Sequence, residues 1–310
     1  MNRAPSYLAL LRTGELGRRA AAALGHLHAC DLCGRRCGAD RVDGAVRGAC
    51  HTGARAVVAS FGPHHGEEEP IRGTRGSGTV FFSYCNLACD FCQNSGLSRV
   101  GAGREATPHA LSGIFLALQE AGCHNVNLVS PTHVLPQILE ALALAARNGL
   151  SLPLVWNTGG YDSLEALALL DGVVDVYMPD MKYGDAETAL RLSGIPDYPA
   201  VNRAAVREMH RQVGDLLLDG EGVAVRGLLV RHLVLPGGLA GSEEVFRFLA
   251  GEVSRGTWLN VMDQYHPAFR ARLHPPLDRR PTPEELAEVR ALAARYGLTR
   301  PDERRRPAAR

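Results

Sequence analysis

Three cysteines, Cys85, Cys89 and Cys92, stand in "YCNLACDFC" with the spacing C-x3-C-x2-C. Thiolates this close can wrap one face of a cuboidal 4Fe-4S cluster, each binding one iron. Three ligands leave the fourth iron open, and an open metal position is what catalysis requires. A structural zinc site would instead favour C-x2-C knuckles and four protein ligands. A second set, Cys30, Cys33, Cys37 and Cys50, follows C-x2-C-x3-C-x12-C in a stretch rich in Gly, Arg and Asp. A segment without apolar periodicity cannot fold on burial alone, so four thiols there imply a structural metal. Three clustered ligands and one distant one favour a second 4Fe-4S cluster over Zn. His28 and His51 flank this set and could replace one thiol. The eighth cysteine, Cys123, stands alone and reads as a small buried hydrophobe.

Positioning these thiols takes elements that the pattern supplies. Strand-like runs occur at 79–84, 125–130, 152–157, 173–178, 226–235 and 258–262. Helical patterns lie between them, near 108–122, 134–148, 163–171, 200–217 and 243–254. Near-continuous apolar strands alternating with helices predict parallel βα units. Six strands are too few for a closed eight-fold barrel, so the expected fold is α/β, a partial (β/α)6 TIM-like barrel. It carries an N-terminal helix over 7–24 and a loop-rich metal-binding module. Thr107-Pro108 and "TPEE" at 282–285 read as helix starts. The expected division is an N-terminal helix and four-Cys module over 1–61, a connecting loop over 62–78 and the barrel over 79–270. A C-terminal helix and basic, flexible tail follow over 271–310. Active sites on parallel sheets sit at the carboxyl ends of strands, where the three-cysteine loop begins.

The chain has 310 residues, 45% hydrophobic and 22% charged, with 34 basic against 33 acidic side chains and a net charge of +1. That balance disfavours nucleic acid as a partner. No apolar run is long enough for a bilayer, and the N-terminus lacks a signal peptide's order. The expectation is a cytoplasmic protein with reduced thiols.

With these residues in view, the sequence resembles the radical S-adenosylmethionine (SAM) superfamily. Its segments "FFSYCNLACDFCQN", "NLVSPTH", "WNTGGYDS", "VDVYMPDMKY", "RHLVLPGG" and "MDQYHP" are most similar to pyruvate formate-lyase activating enzyme homologues with an N-terminal cysteine module. The resemblance implies that SAM chelates the open iron and is reductively cleaved to a 5′-deoxyadenosyl radical, which abstracts hydrogen from a substrate. It implies an electron donor such as flavodoxin or ferredoxin. It places the Phe91 backbone beside the adenine. "SPTH" at 130–133 takes the place of a Gly-Gly-Glu segment and lacks its acid, so Ser130 and Thr132 become the substitutes at the SAM amino group, or an ordinary helix cap. Asn157 and Thr158 could meet the methionyl part or ribose, or serve a glycine-rich turn. Asp180 and Lys182 match an Asp-x-Lys pattern near the SAM carboxylate; a buried ion pair is the alternative. Arg231 and His232 are adjacent, so at most one faces the interior. The resemblance favours His232. Past the last strand, Tyr265 and His266 are substrate-side candidates for catalysis. "HHGEEEP" at 64–70 reads chiefly as a solvated charge run that could cover the site.

The resulting expectation is a radical SAM enzyme acting on a small molecule such as a carbohydrate or natural-product intermediate, of epimerase type. The alternatives are an activase that acts on a glycyl-radical partner protein, and a non-catalytic iron–sulfur protein.

Overall fold

The computed structural model describes residues 4–43 and 48–300. The expected tail from 301 onward and residues 44–47 of the cysteine module lie outside the described residues. Gly14, at φ +74°, splits the N-terminal helix into α1 (Tyr7–Arg12) and α2 (Glu15–Gly25). The cysteine module follows with almost no regular structure. Among the described residues, a bridge joins Cys33 to Asp162.

The segment expected to be a connecting loop is a correction. β1 (Ala56–His64) runs through the proposed boundary, followed by the short α3 (Glu69–Arg72) and β2 (Ser77–Phe82). Next come α4 (Ser95–Ser98), β3 (Arg104–Ala106), α5 (Pro108–Glu120), β4 (Val126–Val129), α6 (Leu135–Arg147) and β5 (Leu154–Thr158). Then α7 (Leu164–Leu170), β6 (Val176–Pro179), α8 (Ala186–Ser193), α9 (Tyr198–Val213), β7 (Leu217–Leu218) and β8 (Ala224–Leu233) follow. The described chain ends through α10 (Ser242–Phe248), β9 (Trp258–Met262) and α11 (Pro283–Arg295).

The sheet order is β3-β1-β2-β4-β5-β6-β8-β7, with β9 paired to β8. β2, β4, β5, β6, β8 and β9 are mutually parallel neighbours. These are the six expected strands, and the fold is an α/β partial TIM-like barrel. β1 and β3 extend its leading edge antiparallel. Local chemistry fixes the helix starts. Thr107 accepts from the Ala110 amide, and Thr282 with Glu285 forms a capping box. Asp185 caps α8, which Gly194 ends in the left-handed region.

Strand side chains alternate between two cores. Val80, Phe82, Leu128, Trp156, Tyr177, Leu228 and Val230 face the helices. Val155, Val176, Met178, Leu229 and Trp258 plug the barrel interior with Ile71. Both faces of these strands are thus apolar, as parallel sheets require. Cys123 is buried in the helix-side core, as the sequence suggests. Among the described residues, no helix is long and apolar enough to cross a membrane.

Candidate active site

The loop after β2 carries Cys85, Cys89 and Cys92, and all three line a cavity of about 160 Å3 at the strands' carboxyl ends. Ser130, Asn157, Thr158, Asp180, Lys182 and Arg231 line the same cavity. An aromatic cluster supports the loop from beneath. Leu87, Cys89 and Phe91 pack there with Tyr161, Tyr183, Tyr198 and Tyr265. Non-glycine residues rarely take positive φ. Tyr84 (φ 67°), Ala88 (φ 65°) and Ser130 (φ 56°) all do, and all line this cavity. Backbone strain of this kind collects at functional sites because the surrounding fold must hold it in place.

Electrostatics separate the cavity walls. Burial pushes the Cys85 thiol up to about 11, while Lys182 acts in the opposite direction. Burial also raises Cys89, again opposed by Lys182. Asp180 accepts from Lys182 Nζ at 2.5 Å and from Arg231 Nε at 2.8 Å. Burial pushes the Asp180 carboxyl up, but Arg231 and Lys182 outweigh it and hold it below the usual carboxylate range. Arg231 also donates to Asn157 Oδ1 at 2.6 Å. The backbone of this pair is fixed independently. Tyr198 and Asn202, one turn apart on α9, both donate to the Asp180 carbonyl, at 3.0 Å each.

Sequence reasoning missed the buried carboxylate of Asp162. It accepts from Thr158 Oγ1 at 2.7 Å, Thr132 Oγ1 at 2.8 Å and Trp156 Nε1 at 3.0 Å. Thr132 therefore sits behind the cavity wall rather than on it, while Thr158 does both. Tyr198, Asn202 and Asp162 share one available signal: polar groups in otherwise apolar surroundings.

Three expected placements need correction. His232 turns to the outer face of β8: Nδ1 donates to the Met181 carbonyl at 2.7 Å, Nε2 meets Ser242 Oγ at 2.9 Å, and the ring packs on Phe246. Its neighbour Arg231 takes the interior position instead, since adjacent strand residues alternate. Tyr265 is fully buried and donates its hydroxyl to the Leu277 carbonyl at 2.7 Å, so it lines neither this cavity nor the larger one beside it. His266 is exposed, with Nδ1 at 2.7 Å from Gln93 Nε2. Phe91 is buried with its ring edge-on to Tyr183 and Tyr265, and it lines neither cavity.

The larger cavity, about 710 Å3, adjoins the first and shares Phe81, Asn94, Val129, Asn157 and Arg231 with it. His64, Glu67 and Glu68 line it, so "HHGEEEP" faces a cavity and not only solvent. Glu68 Oε1 accepts from Asn260 Nδ2 at 2.8 Å, while Glu68 Oε2 is buried without a partner among the described residues. Burial, then the neighbouring Glu68, raises Glu67 above its ordinary value, against Arg231 and His64.

In the N-terminal module, Cys30 and Cys50 are buried, Cys33 is half-buried and Cys37 is exposed. Burial pushes Cys33 up to about 12, and the nearby thiols of Cys50 and Cys30 add to it. Buried Arg41 donates to the Thr52 and Gly53 carbonyls, both at 3.1 Å, with Nη1 3.6 Å from Cys30 Sγ. Among the described residues, no three His, Cys, Asp or Glu side chains are grouped to hold a single metal ion. A cuboidal cluster, whose irons each take one thiolate, spreads its ligands more widely than one zinc does.

A model of the radical SAM superfamily matches residues 79–215, which span β2 to the end of α9. Uncharacterized protein MJ0674 of Methanocaldococcus jannaschii is 34% identical over 278 residues, covering 87% of this chain and 75% of that protein. The crystal structure of a radical SAM methyltransferase from Sphaerobacter thermophilus is similar with a TM-score of 0.47 and 19% identity. That likeness covers 71% of this chain and 64% of the other, so the chain spans less than two thirds of that protein. The chain belongs to the radical SAM superfamily, and that membership implies a 4Fe-4S cluster and SAM.

Proposed function

We propose that the protein is a radical SAM enzyme that abstracts hydrogen from a C–H bond of a small, donor-rich molecule such as a carbohydrate. The observation that carries this reading is the joined pair of cavities, three thiols in the smaller and a polar space of about 710 Å3 beside it. Cys85, Cys89 and Cys92 would hold the cluster, and with SAM it supplies a 5′-deoxyadenosyl radical when reduced by a flavodoxin or ferredoxin. Lys182, in the smaller cavity, offers positive charge to the thiolates, and Arg231, at the seam between the cavities, offers it to a carboxylate. Ser130, Asn157 and Thr158 offer hydroxyl and amide groups on the same wall. A second metal, a 4Fe-4S cluster in preference to Zn, belongs to Cys30, Cys33, Cys37 and Cys50.

For an epimerase-type outcome, a group must return a hydrogen atom. Tyr265 and Cys123 do not reach either cavity, and Tyr84 is the phenol among the lining residues. The test is reconstituted protein with SAM and a low-potential reductant. 5′-Deoxyadenosine should form, and should vanish in Cys85→Ala; its absence from cluster-replete protein refutes the reading. Solvent deuterium at one product carbon, lost in Tyr84→Phe, supports epimerisation. A glycyl radical on a partner protein would instead show an activase.

A further inference from the structure

The N-terminal module is bonded directly to the loop that carries the catalytic cysteines. Arg35 Nε donates to the Asn86 carbonyl at 2.6 Å, and Nη2 donates to the Leu87 carbonyl at 3.0 Å. One side chain thus holds two consecutive carbonyls between Cys85 and Cys89. Beside it, the Gly34 amide donates to the Tyr161 carbonyl at 3.2 Å, and Asn86 Nδ2 donates to that same carbonyl at 3.0 Å. On the other side of Asn86, the Cys85 thiol approaches its Oδ1 at 3.8 Å. The approach is close enough to need glycine: a Cβ on Gly34 would stand 2.4 Å from the Tyr161 ring.

The held segment is one that would not hold itself. Ala88, next in sequence to the clamped carbonyls, sits at φ 65°. An L-residue keeps that conformation only where its surroundings enforce it. Arg35 comes from a stretch without regular structure, between Cys33 and Cys37, so its own position depends on the module's fold. That fold in turn depends on the ligation of its thiols.

We propose that the four-cysteine module is a clamp on the catalytic iron–sulfur loop, and that Arg35 is the positioning residue through which it acts. Ordering of the module sets the backbone of Asn86 to Ala88, and so the separation of Cys85 and Cys89. The clamp acts whichever metal the module binds. It rests on the three-cysteine loop being the cluster site.

The test uses full-length, anaerobically reconstituted protein as wild type, Arg35→Ala, Arg35→Lys and Cys33→Ser. Amide hydrogen exchange is followed in peptides covering 84–92 and, as an internal control, β5 and β6. Loss of two charge-assisted bonds should raise exchange in 84–92 at least about tenfold in Arg35→Ala, with the control strands unchanged. Arg35→Lys, a point charge without the fork, should fall between. Cys33→Ser should reproduce Arg35→Ala. The SAM-induced change in the reduced cluster's electron paramagnetic resonance spectrum should weaken in the same order. Unchanged exchange in 84–92 overturns the clamp. So does an equal rise in β5 and β6, which would make Arg35 a contributor to global stability only. A wild type lacking any SAM-responsive signal would count against the radical SAM reading, and the exchange data would still decide the clamp.

Discussion

Asp180→Asn removes one charge and keeps the shape of the side chain. Its backbone stays fixed by Tyr198 and Asn202, so the perturbation is electrostatic. In the native protein the carboxylate lies between Lys182 and Arg231, with side chains 12%, 19% and 17% exposed respectively. Removing one partner of a buried pair costs about 3–5 kcal/mol because the remaining charge is left uncompensated. Partial exposure of all three groups sets the expectation at the lower end, about 3 kcal/mol. With about 2.1 cal/mol/K of unfolding entropy per residue, 310 residues give about 0.65 kcal/mol/K and a midpoint lowered by about 5 °C. Differential scanning calorimetry reads this directly. Adding Arg231→Met to the same chain should cost less than the two single losses summed, because it removes the stranded cation. A midpoint within about 1 °C of wild type would refute the reasoning and show the three charges to be screened by water.

Acidification should destabilise the protein through two buried histidines. Burial, opposed by bonds to the Ser83 and Met181 carbonyls respectively, lowers His133 and His232 to about 4 each. The unfolded chain binds those protons near its ordinary value of about 6.5, so between the two values the unfolded state holds more protons. Stability therefore falls as pH drops from about 6.5 to about 4, by up to about 1.4 kcal/mol per pH unit for each histidine. Urea unfolding at pH 7 and pH 5 measures it, and His232→Gln should remove roughly half of the slope. Asp162→Leu should cost about 3 kcal/mol or more, since it strands the buried Trp156 indole and removes the shared acceptor of the Thr132 and Thr158 hydroxyls. Asp162→Asn should cost about 1 kcal/mol, because it keeps acceptor capacity and relieves the burial penalty that raises this carboxyl. Equal losses for the two would refute the proposed network.

The parallel strands were legible because they are apolar runs bounded by turn residues. The same property hid their facing. Leu228 and Leu229 are both fully buried, one against helices and one inside the barrel, so composition gives no parity for Arg231 and His232. β1 was illegible because "AVVASFGPH" contains Gly62 and Pro63 and runs into a charged turn. Antiparallel pairing with β2 and β3 overrides that local chemistry. At the site, the gathering of Cys85, Cys89 and Cys92 at one cavity was readable because their spacing is local in sequence. Asp162, Asn202 and Arg35 were not, because each acts on a backbone or side chain that only the fold brings near. Tyr265 was misread for the same reason: its place after the last strand is shared by groups that line the cavity, such as Gln264, and groups that support it.

The two cysteine sets differ in what holds them before any metal binds. The three-cysteine loop rests on a packed aromatic cluster, and its neighbours along the strand ends are fixed by the barrel's own ladder. The N-terminal module has almost no regular structure of its own; it meets the barrel through the Cys33–Asp162 bridge and the bonds of Gly34 and Arg35, and a buried arginine ties its ends together. A segment with so little regular structure cannot offset its conformational entropy without ligation. The dependence between the sets therefore runs one way. The barrel can form while the module is disordered, but the Asn86 and Leu87 carbonyls lose Arg35 when the module is. Losing the module's thiols should leave unfolding of the barrel strands nearly unchanged while loosening the loop above them. Losing Cys85, Cys89 or Cys92 should leave the module ordered.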